Sequence, residues 1–123
     1  MRYSVHKAGL KMIDYNDKQY VCNIDLAMEF IRGKWKAVIL CHLNDGDGPK
    51  RFLELQRITC GVSQKVLNEK LQELERDGLI RKIVYPEVPP KVEFLLTEIG
   101  NDLFPALNMI QDWSIKYFPN SNE

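Results

Sequence analysis

Ser63, Gln64, Lys65, Asn68, Glu69 and Gln72 fall within ten residues of one polar segment. Their side chains carry the groups that read base-pair edges. Asn and Gln pair bidentately with adenine, and Lys takes guanine or a phosphate. Ser63 adds a hydroxyl beside the free N–H groups of a helix start, a combination that suits a phosphate oxygen. A solvated helix face has the same composition, so the flanking residues decide. Lys50 and Arg51 precede the segment, and Arg81, Lys82 and Lys91 follow it. These five cations could hold a DNA backbone with salt-dependent affinity.

Three cysteines offer a second chemistry. Cys22 stands where a helix begins, and a helix dipole there stabilises a thiolate and makes it reactive. Cys22 is therefore the candidate sensor of oxidants or electrophiles, set against a plain capping residue. Cys41 lies in the apolar run Ala37-Val38-Ile39-Leu40-Cys41 and is expected in the core. Cys60 belongs to a turn. No spacing among Cys22, Cys41, His42 and Cys60 matches a zinc pattern, so no metal site is expected. A cysteine hydrolase or reductase built on Cys22 and His42 lacks a third orienting group, a Gly-rich loop and a Cys-x-x-Cys pair. No catalytic residue and no cofactor is expected.

The elements that must position these groups follow from periodicity. Ile24, Ala27, Met28 and Ile31 recur at helical spacing after Cys22, and Gly33 ends that helix. A second helix from Lys34 to about Leu43 carries a stripe of Trp35, Val38, Ile39 and His42. Residues 44–49 form a loop, and Phe52 and Leu55 open a short third helix to about Ile58. Thr59-Cys60-Gly61-Val62 is a tight turn, Ser63 an N-cap, and a long helix runs to Asp77 with Leu67, Leu71 and Leu74 inward. Gly78 caps it. Strands Leu79–Tyr85 and Lys91–Leu96 flank the rigid Pro86-Glu87-Val88-Pro89-Pro90 tip.

Thr97 caps the last helix. Ile99, Leu103, Ala106, Ile110, Trp113 and Tyr117 step by four and three, a heptad seam that predicts a helix partner. Pro105 predicts a kink or two helical pieces. The expected division is an arm over 1–21, part extended and part loosely helical, then a core over 22–96. A terminal dimerisation helix over 97–118 and a frayed tail over 119–123 complete it.

Composition sets bounds on this reading. The 123 residues are 45% apolar and 28% charged, which fits one globular domain and no second full one. No apolar run approaches the ~20 residues of a membrane helix, and the N-terminus has no apolar stretch for a secretory signal. An odd, widely spaced cysteine set fits a reducing cytoplasm. Net charge is zero, yet residues 50–91 hold 9 basic and 6 acidic residues, and residues 92–123 hold 1 and 5. The middle of the chain is thus the basic part, where the base-reading segment lies.

A short helix, tight turn, polar helix and hairpin read as a winged helix-turn-helix, mostly α with a small β wing. The strings that carry it resemble the HxlR-type winged helix-turn-helix regulators. They are Cys22, Ile31-Arg32-Gly33-Lys34-Trp35-Lys36, Lys50-Arg51-Phe52-Leu53-Glu54-Leu55 and Gly61-Val62-Ser63-Gln64-Lys65-Val66-Leu67. Leu71 to Ile80, Val84 to Glu93 and Leu96-Thr97-Glu98-Ile99-Gly100 continue the match. Asn23 and Arg32 stand where that family commonly has Pro and Gly.

The resemblance implies a MarR-like homodimer, joined through terminal helices, that binds pseudo-palindromic promoter DNA and usually represses. It also implies Cys22 as a redox or electrophile sensor, with a small-molecule or oxidant effector. The competing reading is a winged helix that docks proteins without binding DNA, which zero net charge leaves open.

Overall fold

The computed structural model describes residues 12–119. The chain divides into two compact units, residues 1–33 and 34–123. The first holds a hairpin and a helix. Strands β1 (Ile13–Tyr15) and β2 (Lys18–Tyr20) pair antiparallel, with Ile13 opposite Tyr20. Asn16 and Asp17 turn the chain with φ of 52° and 64°. Asx side chains tolerate this left-handed region, and positive φ at both turn residues matches the twist of a two-residue hairpin loop.

Helix α1 (Asn23–Ile31) comes next, with Cys22 at its N-cap. Asp25 Oδ2 accepts the Val21 N–H at 2.8 Å, and Tyr15 meets Phe30 edge to face at 5.6 Å. Within the arm expected over 1–21 as part extended and part loosely helical, residues 13–20 are extended and pair as a hairpin. Strands of three residues give too little alternation to be legible. The rest of that expectation, residues 1–11, lies outside the described residues. Helix α1 falls with the hairpin in the first unit, and the residues expected as a core over 22–96 span parts of both units.

The second unit opens with α2 (Lys36–Leu43), α3 (Phe52–Ile58) and α4 (Gln64–Arg76). The buried face of α2 is Lys36, Ile39, Leu40 and Leu43. The expected stripe of Trp35, Val38, Ile39 and His42 is one residue out of register. Trp35 is the N-cap, and Val38 is exposed. Positions 36, 39, 40 and 43 have the same i, i+3, i+4, i+7 spacing, but a lysine at the first hides the pattern.

The turn between α3 and α4 needs Gly61 at φ +94°, and Val62 N–H bonds Thr59 O at 3.2 Å. Ser63 caps α4 by accepting the Val66 N–H at 3.1 Å. At the other end Leu79 N–H reaches Leu74 O and Gly78 N–H reaches Glu75 O, with Gly78 at φ +81°. Those two bonds form a Schellman motif, and its apolar partners Leu74 and Leu79 are both buried.

Strands β3 (Ile80–Tyr85) and β4 (Lys91–Leu96) form the wing, with Tyr85 opposite Lys91 and Ile80 opposite Leu96. Lys50 adds a bridge to Phe94 through bonds of 2.9 and 2.8 Å, a stub of a third strand. Helix α5 (Glu98–Tyr117) runs as one element through Pro105, so the two-piece alternative is not realised. The core joins Ile39, Leu40, Leu55, Leu67, Leu71, Leu74 and Ile80. Each buried side chain of this size contributes about 1.5–3 kcal/mol. Among the described residues, five helices and two hairpins make a winged helix-turn-helix.

Candidate nucleic-acid interface

Helix α4 sorts its side chains by face. Leu67, Leu71 and Leu74 are buried, and Gln64, Lys65, Asn68, Glu69, Gln72 and Arg76 are exposed. The apolar stripe fixes the helix against the body, so the polar row faces away from it. Phe52 of α3 joins Gln64, Lys65 and Asn68 in one shallow depression at the start of this face. Arg76 belongs to the same row and is absent from the residues singled out by sequence. It stands four residues after Gln72 and its side chain is 69% exposed, so helical spacing alone is enough to find it.

Arg51 is the N-cap residue of α3 and is exposed. It lines a second depression with Leu53, Pro90 and Val92, which places it beside the wing. Lys50 requires a correction. The sequence groups it with Arg51 as a backbone contact, but its side chain is 2% exposed and its Nζ lies 2.7 Å from Asp45 Oδ2. The bridge to Phe94 turns Lys50 inward, and only pairing makes a buried ammonium tolerable. That hydrogen bond from Lys50, with the Asp47 N–H behind it, holds the Asp45 carboxyl below its ordinary range.

The wing cations also separate. Arg81 and Lys82 are both exposed, but neighbours in a strand point to opposite faces. Arg81 shares its face with Tyr85, Lys91 and Glu93, and Lys82 lies on the other. Lys91 is half-buried, 3.6 Å from Glu93 Oε2 and 4.9 Å above the Tyr85 ring. Tyr85 donates its hydroxyl proton to Glu93 Oε1 at 2.9 Å, which with some burial pushes the phenol upward. Lys91 is thus partly neutralised, and Arg81 is the freer cation of that face.

Cys22 is half-buried at the α1 N-cap, and its side chain makes no capping bond. Cys41 is also half-buried rather than in the deep core, and burial pushes its thiol upward. Cys60 is exposed in the turn before α4. Among the described residues no group of three His, Cys, Asp or Glu side chains could hold a metal ion. No helix there is long and apolar enough to cross a membrane.

The heptad row on α5 stands mostly free. Ile99, Ile110, Trp113 and Tyr117 are exposed, as is Ala106, while Leu103 is half-buried. Gly100 and Leu107 are the buried residues of the helix, about a quarter turn away. Residues 108–119 are exposed on every side, with the Trp113 ring tilted against Tyr117 and Phe118 at 6.1 and 5.6 Å.

The profile of the HxlR-like helix-turn-helix family matches residues 30–122. An HTH-type transcriptional regulator of Methanothermobacter thermautotrophicus is 43% identical over 110 residues, covering 89% of this chain and 82% of the relative. The redox regulator HypR in its oxidized form superposes with a TM-score of 0.71 at 40% identity, covering 77% of this chain and 96% of that one. The reduced form of the transcriptional regulator YodB from Bacillus subtilis gives 0.68 at 34% identity, covering 78% and 92%. These relatives are regulators, not enzymes.

Proposed function

The chain belongs to the HxlR-like helix-turn-helix family of DNA-binding transcriptional regulators, and from that premise we propose that it is a cytoplasmic, homodimeric repressor of promoters carrying an inverted repeat. The observation that carries this reading is the exposed polar face of α4, with Phe52 and Arg51 at the start of α3 beside it. Helix α4 enters the major groove. Ser63 and Gln64 at its start contact a phosphate, and Lys65, Asn68 and Gln72 reach base edges. Arg51, Arg81, Lys82 and Lys91 contact the backbone, and the 86–90 tip lies along it or in the minor groove.

Two copies join along Ile99, Leu103, Ala106, Ile110, Trp113 and Tyr117. Two α4 helices in such a dimer lie ~34–36 Å apart, one DNA turn, which requires an inverted repeat. Cys22 is the redox switch of this reading, supported by its helix-start position and by similarity to the redox regulator HypR.

The test is fluorescence anisotropy of the reduced protein against DNA from upstream of its own gene. A scrambled duplex serves as control, at two salt concentrations. Selective binding that falls steeply with salt is expected. Equal weak binding to both duplexes leaves two readings, an operator elsewhere or a fold that serves protein contacts. Diamide takes two thiols to a disulfide and is itself reduced to the hydrazine. Adding it should release DNA from the unmodified protein and not from Cys22→Ser.

A further inference from the structure

Glu69 stands on the outermost line of α4. It follows Lys65 by four residues and precedes Gln72 by three and Arg76 by seven. These spacings stack side chains on one helix face, here the face away from Leu67, Leu71 and Leu74. Glu69 is exposed, and among the described residues it makes no ion pair and no side-chain hydrogen bond. Glu73, one turn further on, is by contrast engaged by Lys36 and Lys70. An unpaired carboxylate at the centre of a DNA-facing row is costly, because duplex DNA carries a phosphate charge every ~1.7 Å of axis. A hydrogen-bond donor on a base edge offsets that repulsion.

The major groove has two such donors, the amino groups of cytosine and adenine. A carboxylate only accepts hydrogen bonds. Adenine shows its N7 acceptor beside N6, which repels the second carboxylate oxygen. Guanine and thymine present acceptors at the same positions. Cytosine shows the N4 donor and no acceptor of its own. We propose that Glu69 is a specificity-determining residue that selects a cytosine in each half-site of the operator. This rests on α4 docking in the major groove. Lys65, one turn earlier on the same face, suits the guanine O6 and N7 acceptors nearby, so the two residues split donor and acceptor readout between them.

The experiment is selection of duplexes from a random pool by the full-length reduced protein, by Glu69→Ala and by Glu69→Gln. The unmodified protein should enrich an inverted repeat with an invariant cytosine in each half. Replacing that cytosine by thymine should weaken its binding by about tenfold or more, the cost of one mismatched pair. Glu69→Ala should lose the preference, binding both duplexes within about twofold, and should bind scrambled DNA more tightly because a repulsive charge is gone. Glu69→Gln should move the preference to adenine, which offers the N6 and N7 pair Gln reads. The same cytosine preference in Glu69→Ala overturns the assignment while leaving DNA docking intact. A protein that enriches no sequence overturns the docking reading and the assignment with it.

Discussion

Lys36 Nζ lies 3.1 Å from Glu73 Oε1, and this ion pair ties α2 to α4 with the lysine side chain only 6% exposed. Lys70 approaches the same carboxylate at 3.4 Å. Burial works to raise the Glu73 carboxyl, but Lys36 and then Lys70 outweigh it, and the group ends below its ordinary range. Two leucines would give cohesion at less desolvation cost. A charged pair instead fixes register, since one rotation of α4 brings Glu73 to Lys36. That same rotation turns Lys65, Asn68 and Gln72 outward.

Glu73→Leu strands the Lys36 ammonium in a buried site. The expected loss is about 3 kcal/mol, the low end for a broken buried pair because Glu73 is partly exposed. Adding Lys36→Met should restore most of it, as read from urea unfolding. The folded Glu73 carboxyl titrates below its unfolded value, so the pair's stabilisation is complete above about pH 4.3. It drains as pH falls through the folded value. The acid decline in stability should therefore shrink in Glu73→Gln. It should not vanish, because Asp45 is depressed in the same sense.

Lys50 gives a prediction about DNA through its burial. Paired with Asp45 inside the fold, it adds no counterion release. Lys50→Met, measured well below its melting temperature, should leave the slope of log affinity against log salt unchanged. Arg81→Ala should flatten that slope by about 0.9 for each phosphate that Arg81 neutralises. A flatter slope in Lys50→Met would mean that the side chain reorients on binding.

What was legible in the sequence depended on how many residues shared a signal. The α3–turn–α4 unit was, because Gly61, Ser63 and the Leu67, Leu71, Leu74 stripe agree on one register. The wing was, because the Val92, Phe94, Leu96 alternation follows a tip that three prolines hold extended. The register of α2 was not, because Lys36 occupies a core position that periodicity assigns to an apolar residue. The inward turn of Lys50 was not legible either. It is set by Phe94, which is 44 residues away and pairs with it only in the folded sheet. At the candidate interface, residue types pointed to the polar face of α4, but strand parity was needed to separate Arg81 from Lys82.

Gly100 shows a contact that spacing cannot reveal. A Cβ there would overlap the Leu79 carbonyl oxygen, a backbone atom that cannot swing aside. The Thr97 hydroxyl locks the same junction, donating to Gly78 O at 2.6 Å and accepting the Gly100 N–H at 3.1 Å. Gly100→Ala must push α5 off the end of α4. The expected cost is about 1–3 kcal/mol, as for overpacking elsewhere, and at ~4–8 °C per kcal/mol a calorimetric melt should resolve it. A melting point unchanged within error would show that the junction yields freely.

The α5 row supplies the sharpest test of assembly. Trp113 is 59% exposed and Ile110 is 55% exposed in a single chain, so neither holds the protomer together. Ile110→Asp should leave the circular dichroism and melting of the protomer nearly unchanged. In a seam between two copies it buries an unpaired carboxylate, which costs about 3 kcal/mol or more and weakens association by ~100-fold. Asn108→Asp, nearly half a turn round the helix, adds the same charge away from the seam and should leave the dimer intact. Sedimentation of the three proteins separates the outcomes. Ile110→Asp should run at the 14.4 kDa of one chain, and the other two at twice that mass. Unmodified protein running at 14.4 kDa would remove the seam, and with it the requirement for an inverted repeat.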